Sequence, residues 1–250
     1  MSEAIFFIAG KSDALSFASD LLTCHGFRVL PQADSRVTHL LLPIPSFDAD
    51  GSVKGGVCLE QILENLPKDI TVIGGNLSHP SLAGYQTIDL LQDDDYVAKN
   101  ADITAHCAVR LAMQTLPVIL SECNILVIGW GRIGKCLARL LLQLGANVTV
   151  SARKSSDRAM VRALGYQACD VRQDGCSLAD YRVIFNTVPV MVLPEPVCRE
   201  KGLKIDLASK SGIGGKDVIW ARGLPGKDAP ESSGALIAER IMHIIGERKA

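Results

Sequence analysis

A chain of 250 residues, 48% hydrophobic and 21% charged, has the size and apolar content for one large or two modest α/β domains. Its formal net charge of −1 gives no electrostatic reason to expect nucleic acid or an anionic membrane as a partner. The eight cysteines form no Cys-x-x-Cys pair and no zinc-spaced Cys/His cluster, so no metal is expected and a reduced, cytoplasmic setting is. The N-terminus lacks a basic signal region, and no apolar run is long enough to span a bilayer.

In chain order, residues 5–9 read as a strand and 13–24 as an amphipathic helix with Leu15, Ala18, Leu21 and Leu22 inward. Residues 28–30 and 39–42 are short strands. Residues 43–56, with two prolines and three glycines, are a loop. A helix over 57–66 is stopped by Pro67, and 70–74 is a further strand. This alternation predicts a small flavodoxin-like α/β domain over residues 1–102, with no glycine fingerprint of its own. The acidic run from Gln92 to Asp95 reads as a solvated loop rather than a metal site. A helix over 102–116, N-capped by Asp102 and stopped by Pro117, is expected to bridge two domains.

The chain is organised around residues 124–156. The apolar run 125–128 leads into Gly129-Trp130-Gly131-Arg132-Ile133-Gly134, and a helical pattern ends at Gly145. A second short strand, 148–151, completes the start of a βαβ unit. In that context Gly-x-Gly-x-x-Gly is a dinucleotide turn, whose helix amides hold a pyrophosphate. The same stretch nearly matches a P-loop, but Cys136 stands where a magnesium-binding hydroxyl is needed. At the end of the second strand an NAD enzyme presents a carboxylate to the ribose. Here Ala152-Arg153-Lys154-Ser155 offers a guanidinium, an ammonium and a hydroxyl, which suit the 2′-phosphate of NADP.

A helix over 157–164 comes next, then strands over 182–186, 203–207 and 218–221. Their ends, Thr187-Val188-Pro189, Ala208-Ser209 and the Gly/Pro-rich 222–226, should line one crevice. Residues 103–229 thus form a Rossmann domain with a doubly wound parallel sheet. The terminal helix, within 230–250, is expected to pack back on the first domain. No tyrosine is followed by lysine at the Tyr-x-x-x-Lys spacing of short-chain dehydrogenases, and the Gly-x-Ser-x-Gly elbow of hydrolases is absent. His106 is a candidate acid/base group, and Lys210 a candidate for a substrate carboxylate.

Taken together, the three strand ends, Gly223-Leu224-Pro225-Gly226 with the following Ala229-Pro230, and the glycine turn resemble the A-type dipicolinate synthase family. The resemblance is fullest from residue 102 onward. It implies an NADP-dependent enzyme that oxidises a dihydrodipicolinate-level dicarboxylate to dipicolinate in sporulating bacteria, working with a flavoprotein-like partner, the B-type chain of the same synthase. Thr187, Val188, Pro189, Ala208 and Ser209 would border the nicotinamide, and His106, Lys210 and Arg222 would handle substrate or protons. A homo-oligomer is expected. His106 stands where the family usually has Glu, and Lys210-Ser211-Gly212 replaces the family's Arg-Pro-Gly. Val190 replaces a Ser. These departures bear on substrate more than on cofactor. The competing readings are a related oxidoreductase on another small acid and a non-catalytic NADP-binding regulatory protein.

Overall fold

The computed structural model describes residues 4–173, 176–194 and 202–247, so Cys198 lies outside the described residues. The chain divides into two compact units, Met1–Asn100 with Pro225–Ala250, and Ala101–Leu224.

In the first unit, β1 (Ile5–Ile8), β2 (Arg28–Leu30), β3 (His39–Leu41), β4 (Thr71–Gly74) and β5 (Gln86–Asp89) form a parallel sheet ordered β2-β1-β3-β4-β5. That is the flavodoxin-like order. Alternate strand residues face opposite sides. Leu40 and Val72 join a core with Leu59, Ile62 and Leu63 of α2 (Leu59–Glu64). Phe6 is buried edge-on to Phe27, with ring centroids 5.7 Å apart. Helix α1 (Asp13–Cys24) buries Ala14, Leu15, Ala18 and Leu22. The C-terminal helix, Pro230–Glu247, packs on α1 so closely that a Cβ on Gly234 would lie 2.5 Å from the Ala14 carbonyl oxygen.

The structure corrects two expectations. The acidic run is not a loop: helix α3 spans Asp94–Thr115. Asp93 accepts the Tyr96 amide at 2.7 Å, so this carboxylate caps the helix, and acids in its first turn favour the dipole. Asp102 therefore sits two turns inside α3 and caps nothing. Its exposed carboxylate takes Arg139 at 3.1 Å. Two strands also escaped the pattern, β5 and β8 (Gln167–Cys169). Both are edge strands with few apolar residues, so alternation leaves little signal.

The second unit carries β6 (Asn124–Ile128), α4 (Arg132–Gln143), β7 (Asn147–Ser151), α5 (Ser155–Ala163), β8, β9 (Val183–Asn186), β10 (Leu203–Asp206) and β11 (Val218–Trp220). All pairs are parallel, in the order β11-β10-β9-β6-β7-β8. This is the doubly wound Rossmann order, reversing between β6 and β9. Residues 125–128 and 183–186 are buried throughout, as central parallel strands require. The stretch after β11 is not all loop, because Leu224–Asp228 forms a short helix, α6. The terminal helix is α7. Among the described residues no helix is long and apolar enough to cross a membrane.

Candidate dinucleotide site

At the reversal point β6 runs into Gly129, whose φ of +107° suits only glycine. A Cβ there would overlap the Thr187 hydroxyl and lie 2.8 Å from Val188 Cγ2. At Gly134 a Cβ would overlap the Gly129 carbonyl oxygen, so the start of α4 is pressed onto the turn. At Gly131 a Cβ would meet nothing within 4 Å. One glycine bends the chain, one lets helix meet strand, and the middle one opens onto free space. Those are the three roles a pyrophosphate turn needs. Gly131 is also the N-cap of α4 and supplies no side-chain acceptor, so the first helix amides keep their capacity for an anion.

Around the turn, Arg132 is exposed and Ile133 half-buried. Trp130 is half-buried, edge-on to Tyr166 at 5.9 Å between centroids, with the Lys135 ammonium 5.7 Å from its ring. It anchors the turn by packing.

The end of β7 is fixed by backbone and side chain together. Gly129 donates to the Ser151 carbonyl at 2.9 Å, and Ala152 donates to the Cys169 carbonyl at 3.1 Å. The Ser151 hydroxyl accepts the Val171 amide at 3.1 Å. Arg158 donates to the carbonyls of Ala152 (2.8 Å) and Arg153 (2.7 Å) and lies 3.6 Å from Asp170. Ala152 is buried by this arrangement, while Arg153, Lys154 and Ser155 are exposed. Helix α5 begins at Ser155, earlier than the sequence pattern implied, so Lys154 is its N-cap residue.

Beyond β9, Thr187 donates through its amide and its hydroxyl to the Ile128 carbonyl, each at 2.9 Å. Val188 lies against Gly129, and Pro189 is exposed. The sequence reading missed what supports these loops. Asn186 and Asp206 are fully buried at the carboxyl ends of β9 and β10. Asn186 Nδ2 donates to Asp206 at 2.9 Å and to the Val188 carbonyl at 3.0 Å, and its Oδ1 accepts the Val188 amide. Asp206 also accepts the amides of Ala208 (3.0 Å), Gly212 (2.7 Å) and Ile213 (3.1 Å). One carboxylate and one carboxamide thus set both loops, and the carboxylate has every lone pair in use. The available signal was a polar residue closing each apolar strand, in Val-Ile-Phe-Asn and Leu-Lys-Ile-Asp.

Ala208 is buried, and its carbonyl accepts the Trp220 indole at 3.0 Å. The Arg222 guanidinium stacks 5.0 Å from the Trp220 ring centroid. Ser209, Lys210 and Arg222 are exposed. The structure thus joins residues 129–134 with 151–155 and 187–189, and joins 208 with 220 and 222. Among the described residues, no contact links His106 directly to either group. It is exposed on α3, its Nε2 3.7 Å from the Asp102 carboxylate that Arg139 also holds.

Sheet order and glycine turn define the second unit as a Rossmann-type fold, and comparison agrees. A transhydrogenase from Sinorhizobium meliloti superposes with a TM-score of 0.70 at 16% identity, over 96% of this chain and 93% of that one. More particularly, the chain is similar to the A-type dipicolinate synthase protein of Bacillus subtilis (strain 168), 26% identical over 238 residues, which is 86% of this chain and 80% of that protein. The crystal structure of the A-type dipicolinate synthase protein from Bacillus halodurans superposes with a TM-score of 0.84 at 24% identity, over 98% of both chains. No family model matches the chain. The resemblance read from the strand ends and glycine turn is borne out by these relatives.

Proposed function

We propose that the chain is an NADP-dependent oxidoreductase of the A-type dipicolinate synthase kind, acting on a dihydrodipicolinate-level dicarboxylate. The observation that carries the cofactor reading is the open Gly131 turn at the strand-order reversal, beside exposed Arg153, Lys154 and Ser155. The substrate reading rests on the similarity to the B. subtilis protein over most of the chain.

The residues fit a dinucleotide by shape and charge. Gly129, Gly131 and Gly134 would admit the pyrophosphate against the α4 amides, and the Arg153 guanidinium, Lys154 ammonium and Ser155 hydroxyl would hold a 2′-phosphate. No carboxylate competes in that turn before Asp157. When bound, the nicotinamide supplies a hydride acceptor. The chain's own work is orientation: Thr187, Val188 and Pro189 border the turn, and the Asn186–Asp206 framework fixes them and the 208–213 loop beside it. Arg222, held over Trp220, and Lys210 offer cations for a substrate carboxylate. His106 is the candidate for proton handling, and the flavoprotein-like B-type protein is the partner.

Titration with NADPH and NADH tests the cofactor. Wild type is expected to prefer NADPH, and Arg153→Ala to lose on the order of tenfold in NADPH affinity with little change for NADH. Equal wild-type affinity for the two would sink the assignment to NADP. Turnover is tested with enzymatically generated dihydrodipicolinate and NADP⁺, with and without a B-type partner, following dipicolinate absorbance. Cofactor binding with no product in either arm would leave a non-catalytic NADP-binding protein or another small-acid substrate.

A further inference from the structure

Two cysteines with no recognised motif spacing meet behind the cofactor turn. Cys169 closes β8, and Cys176 lies seven residues on. Both are free and half-buried, and their sulfurs are 2.7 Å apart. The two thiols are chemically unequal. The bond with Cys169, in which either sulfur can donate, lowers the Cys176 thiol, with help from the Tyr181 hydroxyl and against burial. Cys169 is pushed up, first by that same bond and then by burial. One sulfur is thus disposed to attack as a thiolate and the other to follow as a resolving thiol.

The pair is also wired to the cofactor loop. The Cys169 carbonyl accepts the Ala152 amide at 3.1 Å, and the Val171 amide donates to the Ser151 hydroxyl at 3.1 Å. Asp170 faces Arg158, which grips the carbonyls of Ala152 and Arg153. Residues 169–171 therefore hold residues 151–153 from behind.

We propose that Cys169 and Cys176 form a reversible dithiol–disulfide site, open to small disulfides, whose state sets the turn that carries Arg153 and Lys154. The Cys176 thiolate attacks an external disulfide RSSR, forming a mixed disulfide and releasing RS⁻. Cys169 then loses its proton and attacks the Cys176 sulfur, forming the Cys169–Cys176 bond and releasing the second RS⁻. The two protein thiols are oxidised, RSSR is reduced to two RSH, and an external dithiol reverses the exchange. The link to NADP rests on the proposed role of Arg153 and Lys154; the dithiol and its hold on 151–153 do not.

The test uses the whole chain with oxidised glutathione, followed by alkylation and trypsin. Cleavage after Arg162, Arg172 and Arg182 places Cys169 in peptide 163–172 and Cys176 in peptide 173–182. A disulfide joins the two. Wild type is expected to give the linked peptide, reversible with dithiothreitol, and Cys169→Ser and Cys176→Ser are expected to give none. Recovery of unlinked peptides from wild type, free or each glutathionylated, overturns the site. The coupling is read without cofactor, by amide hydrogen exchange. Oxidation is expected to change exchange at 151–158 by at least about fivefold in wild type and not in Cys169→Ser. Unchanged exchange in oxidised wild type overturns the coupling. A reduced protein that exchanges as expected yet fails to bind NADPH would count against the NADP reading alone.

Discussion

In both units the chain leaves the first strand of a parallel sheet through a glycine at positive φ and turns into a helix. Gly10 (φ +89°) precedes α1 and Gly129 (φ +107°) precedes α4. What stands in front of the turn differs. In the first unit the loop after β3 folds back over it. The Lys11 amide donates to the Lys54 carbonyl at 3.0 Å, and a Cβ on Gly10 would lie 2.6 Å from that carbonyl oxygen and 2.7 Å from Pro43 Cγ. In the second unit the loop after β9 braces the turn at Gly129 through Thr187 and leaves Gly131 open. A doubly wound sheet creates a crevice at its reversal point. Whether a ligand can use it depends on where the next loop goes. The first unit fills its crevice with its own backbone, and the second leaves room for a phosphate.

The largest effect should come from the groups that fix those loops. Each unit uses an aspartate at a strand's carboxyl end. Asp206 is fully buried with four donors, whereas Asp89 is half-buried and accepts the amides of Asn76, Leu77 and Leu91 at 2.9–3.1 Å. Asp206→Ala strands three buried amides and a carboxamide, and should cost about 3–5 kcal/mol in urea unfolding and abolish NADPH binding. Asp89→Ala, which frees the amide of exposed Asn76 along with two part-buried ones, should cost only about 1–2 kcal/mol and leave NADPH binding intact. Equal costs would break the distinction between a buried framework and a surface staple.

A smaller contrast isolates the crevices themselves. Gly10→Ala forces a side chain into a left-handed residue and onto a main-chain carbonyl, and should destabilise by about 2–3 kcal/mol. Gly131→Ala adds a methyl to open space from a φ of −82°, and should stay within about 0.5 kcal/mol of wild type in stability. Its NADPH affinity should nevertheless fall on the order of tenfold, because the methyl occupies the pyrophosphate's approach. A Gly131→Ala protein that binds NADPH as wild type does would show that the open space is not the phosphate seat.

What the sequence disclosed depends on the range over which each feature is encoded. β6, the glycine turn and α4 are local: a buried apolar run, three glycines and one helical period lie close together in the chain, so the strand, the turn and the helix were legible. The edge strands β5 and β8 were not, because few of their side chains meet a core and their register comes from the neighbouring strand. The acidic run that opens α3 has a local cap, Asp93 on the Tyr96 amide, but acidic residues in a row also suit a solvated loop, and the support that decides between the two is distant. Asp93 and Asp95 pair with Arg240, about 145 residues later. The Asn186–Asp206 framework joins residues 20 apart, and even the Cys169–Cys176 contact, seven residues apart, has no motif spacing to mark it. Each half is an ordinary residue until the fold brings its partner.

The smallest predicted effect is the response of the first unit to acid. In the first unit α7 is tied to the start of α3 by Arg240, whose guanidinium holds Asp93 at 2.5 Å and Asp95 at 3.0 Å. Burial alone would push the Asp93 carboxyl up, but the Tyr96 amide and Arg240 outweigh it and leave it lowered. A carboxyl lowered in the fold contributes stability above its unfolded value, about 3.9, and loses it as pH falls through the lowered folded value. Asp93→Asn keeps an acceptor for the Tyr96 amide and removes the charge. It should cost about 1 kcal/mol at pH 7, with the deficit shrinking as the pH is taken below about 4. Urea unfolding of both proteins at about pH 7 and about pH 3 measures this. A deficit that is constant across the two would mean that the pair with Arg240 contributes through shape rather than charge, and the tie between α7 and α3 would then be as insensitive to acid as an apolar contact.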